Sequence, residues 1–342
     1  MHEMRGHITA ILLGLGIVAL FGLIVTYQNY APMDFAEAQY HVRQACEPCY
    51  KAVRKLYHVT IVKNQLLSWY FYVLVGLILL LEWAKPVYVK SSVFSVAFFH
   101  DFLWVFLNAL FMGFLIPIYQ VSLARSYHSY LGFMRVDIIE AWPVAVQILL
   151  AVLITDFIQW FHHLLRHKVI LFWCFHTVHH SQRDMNLFTD LRVHPVERLI
   201  EAGVAFIPFL SLRTDVALAA LSGWFLLGSW YARFYHSNIK TNLGILRYIM
   251  VTPQSHRIHH SRKIEHQDKN FGAIFSIWDH LFRTQYRKYD EYPETGLEDS
   301  RYLQETELGW RSTTRMFCVQ LTCPFGMAFR SATQMVARKA AV

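Results

Sequence analysis

Two stretches decide how this chain is read: Trp173-Cys174-Phe175-His176-Thr177-Val178-His179-His180-Ser181 and Thr252-Pro253-Gln254-Ser255-His256-Arg257-Ile258-His259-His260-Ser261. Each contains His-x-x-His-His, and a pair one helical turn apart, His163 and His167, precedes the first. Residues three and four apart on a helix share a face, so each triplet directs three imidazoles at one spot. Neutral imidazole is the common ligand for iron, zinc and copper, and a set this rich in nitrogen and poor in thiolate argues against iron–sulfur or cysteine-based zinc sites. The pattern points to a metal site for two ions.

Local signals place these residues on helices. The helix containing Ile154 to Leu165 runs on to end with His163 and His167 one turn apart, and Phe172 to Ser181 forms a second helical stretch carrying the first triplet. Thr252 is a good N-cap and Pro253 a good first helical residue, launching Gln254 to Ser261 with the second triplet on one face. His236, in Tyr235-His236-Ser237-Asn238, re-emerges from an apolar block and is placed to supply a ninth ligand. Of the 19 histidines, 13 fall between His162 and His280, which locates the chemistry in the second half of the chain. A lone histidine on such a helix reads equally well as a satisfied polar or interfacial side chain, and that alternative stands for His162, His194, His266 and His280. A solvated basic face does not explain two internal triplets and a pair in a chain that otherwise avoids polar residues, because polar groups at membrane depth are costly and usually functional.

The chain has 342 residues, is 55% hydrophobic and 16% charged, and has a mean hydropathy of +0.27, high for a soluble enzyme. A membrane span takes roughly 20 apolar residues, and Ile8 to Tyr27, Leu66 to Ala84, Val93 to Tyr119 and Trp142 to about Trp160 qualify. Leu199 to Tyr231 is interrupted by Arg213, Thr214 and Asp215 and reads as a hairpin that dips in and returns. No small-x-small cleavage site clearly follows Tyr27, so the first span is expected to be a retained anchor. The net charge of +8 suits basic loops against anionic headgroups better than a nucleic-acid partner. The fold expected is all-α, a multi-span transmembrane helical bundle with a cytoplasmic histidine-rich di-metal cap. Residues 1–140 form the membrane scaffold, 141–290 the catalytic domain and 291–342 a C-terminal tail. Cytoplasmic histidines put the basic loop Gln28 to Gln65 outside, against the positive-inside tendency. A double pass bent at Pro117, or a first segment lying along the interface, would relieve that conflict. Of the five cysteines, Cys46 and Cys49 have the spacing of a redox pair or half a zinc knuckle, without the second half a zinc site needs; a local disulfide is open to them if their loop is periplasmic.

Further residues carry a resemblance. Asp156-Phe157 leading into His163-x-x-x-His167, Trp173-x-x-His176-x-x-His179-His180-Ser181, Asn186, Thr189, Arg192-x-His194-Pro195-x-Glu197, His236-Ser237-Asn238, Thr252-Pro253-x-x-His256-Arg257-x-His259-His260-Ser261, Asn270-Phe271-Gly272 and Trp278-Asp279 resemble the fatty acid hydroxylase and sterol desaturase superfamily of integral membrane di-iron oxygenases. The likeness covers about Asp156 to Thr284. The chain departs from it in the extra His162 and in Leu164, where many members carry Arg after the first histidine; the spacing to His167 favours His163 as the ligand.

The resemblance implies two iron ions held by His163, His167, His176, His179, His180, His236, His256, His259 and His260. It implies O2 as co-substrate, electrons from an external donor, and hydroxylation or desaturation of a lipid, sterol or other hydrophobic substrate. Outer carboxylates are expected to orient the imidazoles through their second nitrogen. Asp156, Asp190, Glu197, Asp268 and Asp279 are candidates, with Asn186, His194 and Asn270 beside them; an ordinary surface acid or helix cap is the alternative for each, and reads equally well for Glu197 after Pro195. No Gly-x-Gly-x-x-Gly fingerprint is present, so a redox partner is expected, of ferredoxin or cytochrome b5 type with an NAD(P)H reductase. Arg257, Arg262 and Lys263 could dock an acidic donor, although screened interface charge is the commoner reading, and Trp160, Phe161, Phe172 and Trp173 could line a tunnel or merely form the interfacial belt. The rival readings are a histidine-rich membrane metal-binding or transport protein and a b-type cytochrome. Transport places ionisable residues near mid-membrane on several spans, and haem needs paired axial histidines within spans rather than triplets.

Overall fold

The computed structural model describes residues 69–88, 95–130, 142–210, 227–299, 301–302 and 309–340. Among these residues every regular element is helical, and strand pairing is limited to isolated bridges such as Met250 with Phe275. The α-helices are α1 (Trp69–Ala84), α2 (Val96–Tyr130), α3 (Val144–Lys168), α4 (Ile170–His180), α5 (Pro195–Leu210), α6 (Ser229–His236), α7 (Pro253–His259), α8 (Ile277–Leu281) and α9 (Trp310–Ala340). Ile8 to Tyr27, Cys46, Cys49 and the Arg213 to Asp215 break lie outside the described residues.

Helix α3 is the pillar of the site. It is the one helix among the described residues long and apolar enough to cross a membrane, with a mean hydropathy of 1.9 over its most apolar window and 33% of that window buried. Helix α1 is apolar but has 16 residues, and Val96–Asn108 is an apolar stretch of α2. The bent double pass is not what forms: α2 runs through Pro117 as one continuous 35-residue helix. Arg166 and Lys168 close α3, where their charge complements the negative end of the helix dipole.

A single extended residue, Val169 (φ −99°, ψ 112°), separates α3 from α4. That one-residue break turns the chain back so that α4 packs against α3, bringing the first triplet beside the His163 and His167 pair. Helix α9, drawn from the polar tail, lies along α4, while α5 packs on both α2 and α3, and α6 on α7. One apolar core joins α1 and α2 to the segment after α4 through Phe71, Ile78, Phe98, Val105, Leu187 and Phe188. A second joins α4 to α9 through Trp104, Cys174, Val178, Tyr302 and Met327.

Polar ties fix the loops around these cores. Asp101 and Arg192 are fully buried and paired, Nε to Oδ1 at 2.5 Å, and the other Asp101 oxygen accepts from Gln182, Asn186 and Thr189 at 2.7 to 2.8 Å. A buried carboxylate with no donors would be prohibitive; here one oxygen faces a guanidinium and the other three neutral donors. Midway along α3, Asp156 accepts from the Ile274 and Phe275 amides and the Trp278 indole, tying α3 to the loop ahead of α8.

Candidate metal centre

All nine expected ligands converge. His163, His167, His176, His180 and His259 form one group and His179, His236, His256 and His260 a second, with the candidate ligand nitrogens of each group within 4.8 Å of one another. The groups abut: the His180 and His260 rings stack with centroids 4.3 Å apart. His162 is buried outside both groups, edge-on to Phe172.

Tautomers follow from the partners. His163 Nδ1 lies 3.0 Å from the Phe271 carbonyl, His176 Nδ1 2.7 Å from Glu197 Oε1, His236 Nδ1 2.8 Å from the Ala232 carbonyl and His259 Nδ1 2.8 Å from the Lys269 carbonyl. Carbonyl oxygens only accept, and Glu197 Oε1 also takes the Arg166 N–H, so these four rings carry their proton on Nδ1 and turn a bare Nε2 lone pair inward. His163 Nε2 and His176 Nε2 then stand 3.2 Å apart with no hydrogen between them. His167 Nε2 and His259 Nε2 are buried without a partner.

A cation is what such a set fits. Two nitrogens bonded to one ion at about 2.1 Å and at right angles lie about 3.0 Å apart. The Nε2 to Nε2 separations are 3.2 Å for His176 with His180, 3.2 Å for His179 with His236, 2.8 Å for His236 with His256 and 3.1 Å for His256 with His260. Burial reinforces the neutral, ligating form. It lowers His236 to about 3 and His259 to about 4, and holds His176, His179, His180, His256 and His260 well below the ordinary imidazole value.

The second triplet sits on a helix built for it. Thr252 caps α7 through a reciprocal pair, its Oγ accepting from the Ser255 amide and its own amide donating to Ser255 Oγ, both at 2.9 Å, with Pro253 at the first helical position. Asn270 donates to the Ser255 carbonyl at 2.8 Å and accepts from the Tyr286 amide, linking α7 to the strand of chain that follows α8.

The expected outer residues act at one remove. Asp279 accepts from the Phe271 and Gly272 amides, Trp160 Nε1 and Thr284 Oγ1 at 2.6 to 2.9 Å, and so aims the carbonyl that orients His163. Gly272 is required there, since a Cβ would meet the Phe275 carbonyl and Val251 at 2.7 Å. Asp156 holds the neighbouring loop, Asn186 serves Asp101, and Asp190 lies 3.8 Å from Arg233, its carboxyl raised to about 6 by burial. His194 donates to the Leu321 carbonyl of α9. The Asp268 carboxylate is half-exposed and pairs with Lys168. Three of the four ring partners are backbone carbonyls, and the carboxylate among them, on a cage imidazole, is Glu197.

The basic residues divide as well. Arg257 is buried, donating to Asn238 Oδ1 over the Tyr88 ring, and so is withdrawn from any docking face. Arg262 and Lys263 are partly exposed and paired with Glu294, Glu291 and Glu265. Trp160 is buried under Asp279, and Trp173 covers His167 and His180 at ring-centroid distances of 4.9 and 5.4 Å.

Comparison with known proteins agrees with the geometry. Residues 148–284 match the family model for fatty acid hydroxylase. The chain is 29% identical over 161 residues to ornithine lipid hydroxylase OlsE of Rhizobium tropici, covering 47% of this chain and 46% of that protein. It is 35% identical over 129 residues to alkylglycerol monooxygenase of Homo sapiens, covering 38% and 28%. It is 27% identical over 172 residues to very-long-chain aldehyde decarbonylase GL1-1 of Oryza sativa subsp. japonica, covering 47% and 27%. The matched region thus spans less than half the length of each of these relatives, and no solved structure matches. The histidine-bearing segment 148–284, which contains all nine converging imidazoles, is the part of the chain that matches the fatty acid hydroxylase family.

Proposed function

We propose that this chain is a membrane-embedded, O2-dependent di-iron hydroxylase acting on a lipid, its histidine cage on the cytoplasmic side. The observation that carries the reading is the grouping of nine imidazoles into a set of five and a set of four, with the unprotonated His163 and His176 nitrogens 3.2 Å apart. A pair of bound iron ions would supply O2 activation and oxidation of an unactivated C–H bond. Hydroxylation is favoured over desaturation because the hydroxylase and monooxygenase relatives are named for oxygen insertion. The reaction balances as C–H plus O2 plus two electrons and two protons giving C–OH plus water. The electrons come from an external donor of ferredoxin or cytochrome b5 type.

The chain's own residues hold, orient and seal. Nδ1 partners keep the Nε2 atoms of His163, His176, His236 and His259 free for a ligand bond, and the Asp279 loop positions His163 while screening it from water with Phe271, 5.7 Å from the His163 ring. Trp173 closes the opposite side of the five-histidine group. Val146, Leu149 and Ile154 leave α3 with an exposed apolar flank below the cage, a surface suited to lipid chains.

Purified protein should retain about two non-haem irons per chain and show no Soret band. Membranes supplied with isotopically heavy O2 should yield a lipid carrying one labelled oxygen, absent with His179→Ala. Protein that binds no iron, or lipid profiles identical in wild type and the variant, would overturn the reading.

A further inference from the structure

The nine imidazoles are not held alike. In the five-histidine group, His163, His176 and His259 each have Nδ1 fixed by an acceptor. In the four-histidine group His236 alone is fixed in this way; the Nδ1 atoms of His179, His256 and His260 are buried with no hydrogen-bond partner. One fixing partner also differs in kind. Glu197 is 3% exposed, and its Oε1 receives both His176 Nδ1 at 2.7 Å and Arg166 Nη1 at 2.8 Å. It reaches from the first turn of α5 across to α4, while Arg166 comes from the last turn of α3. A simple tie between α3 and α5 would be complete with Arg166 alone. The imidazole contact adds an acceptor that locks the His176 tautomer; burial pushes the Glu197 carboxyl up to about 7 while the Arg166 guanidinium favours its anion, and as the anion it makes His176 Nε2 a stronger donor to a cation.

We infer that Glu197 is a positioning residue that makes the two ion sites unequal, so that the five-histidine site fills first and holds its ion more tightly than the four-histidine site. This rests on the two-ion reading of the cage and adds an order of occupation to it. Loss of an outer hydrogen-bonding partner of a ligating histidine costs roughly 10- to 100-fold in metal affinity, and Glu197 touches a ligand of one group only.

The test is a titration of full-length, metal-free protein in lipid nanodiscs with cobalt(II), followed by visible absorption and needing no substrate. Wild type should take two equivalents in two resolved steps. Glu197→Ala should weaken the first step by roughly 10- to 100-fold and leave the second unchanged. Glu197→Gln keeps an oxygen that can accept from His176 Nδ1 but loses the charge, so its first step should fall between the two; it decides the matter should the Ala variant fail to fold. Asp299→Asn, which breaks a pair with Arg301 remote from Glu197 and Arg166, should titrate like wild type. Variants at Glu197 that match wild type, or that weaken both steps equally, overturn the inference. A wild-type protein that binds fewer than two equivalents instead sinks the two-ion reading, and this inference with it.

Discussion

The two triplet helices carry the same motif and are held in opposite ways. Helix α4 has 11 residues and is clamped by long neighbours, α3 on one side and α9 on the other. Helix α7 has seven residues, every one buried, and is pinned by hydrogen bonds: the Thr252 and Ser255 cap, Asn270 on the Ser255 carbonyl, and Gln254 Nε2 on the Lys288 and Glu291 carbonyls at 3.0 Å. Helices this short are unstable alone, since each turn must be nucleated before it gains from propagation. The lesson is that a coordination motif fixes only which atoms must meet. How the backbone is kept rigid is settled separately, by packing for α4 and by polar pins for α7.

Acid should break both supports at once and gives the largest expected effect. A histidine depressed in the folded state binds its proton more readily when unfolded, so its stabilising contribution is full above about pH 6.5 and is lost as pH falls towards the folded value. For His236 that window runs from about 6.5 to about 3, at about 1.4 kcal/mol per pH unit. Chemical denaturation of metal-free protein should show stability falling steadily between pH 6.5 and 4. A flat profile would mean that the imidazoles are not buried neutral.

On the α4 side, Asp101→Ala strands the buried Arg192 guanidinium and should cost about 3–5 kcal/mol in a denaturant titration. On the α7 side, Gly272→Ala drives a methyl into the Phe275 carbonyl and should cost about 1–3 kcal/mol, with iron content falling as the Phe271 carbonyl shifts away from His163. Thr252→Ala removes one cap and should cost about 1 kcal/mol; if α7 really depends on its pins, this change should also raise amide exchange in 253–260 while leaving 170–180 protected. Lys168→Ala breaks an ion pair half in solvent and should move the denaturation midpoint by at most about 1 kcal/mol equivalent.

The triplets, their helices and the nine converging nitrogens were legible because the 3.6-residue repeat is local: His176 and His180, or His256 and His260, announce a shared face in five letters. Long-range partners leave no such trace. Glu197 was visible beside Pro195 but equally readable as a helix cap, and its contact with His176 exists because the break at Val169 folds α4 back. Asp268, adjacent to the motif, turned to Lys168 since both lie at the surface. Arg257 read as a docking charge and is buried, because the second triplet demands that the whole of α7 be internal. One signal was available and went unread: a lone Asp101 inside the apolar run Val93 to Tyr119 must find a cation or several donors, and Arg192 is that cation.

The seam between Asp156 and the amides of Ile274 and Phe275 makes α3 a ruler. From that anchor to His167 is 11 residues of continuous helix, about 16 Å at a rise of 1.5 Å per residue. The height of the cage above the helix's apolar flank is therefore graduated in whole residues. Inserting one residue between Phe157 and His162 would lift the pair by about 1.5 Å and swing it by about 100°, carrying both rings off the axis on which the other seven imidazoles are trained.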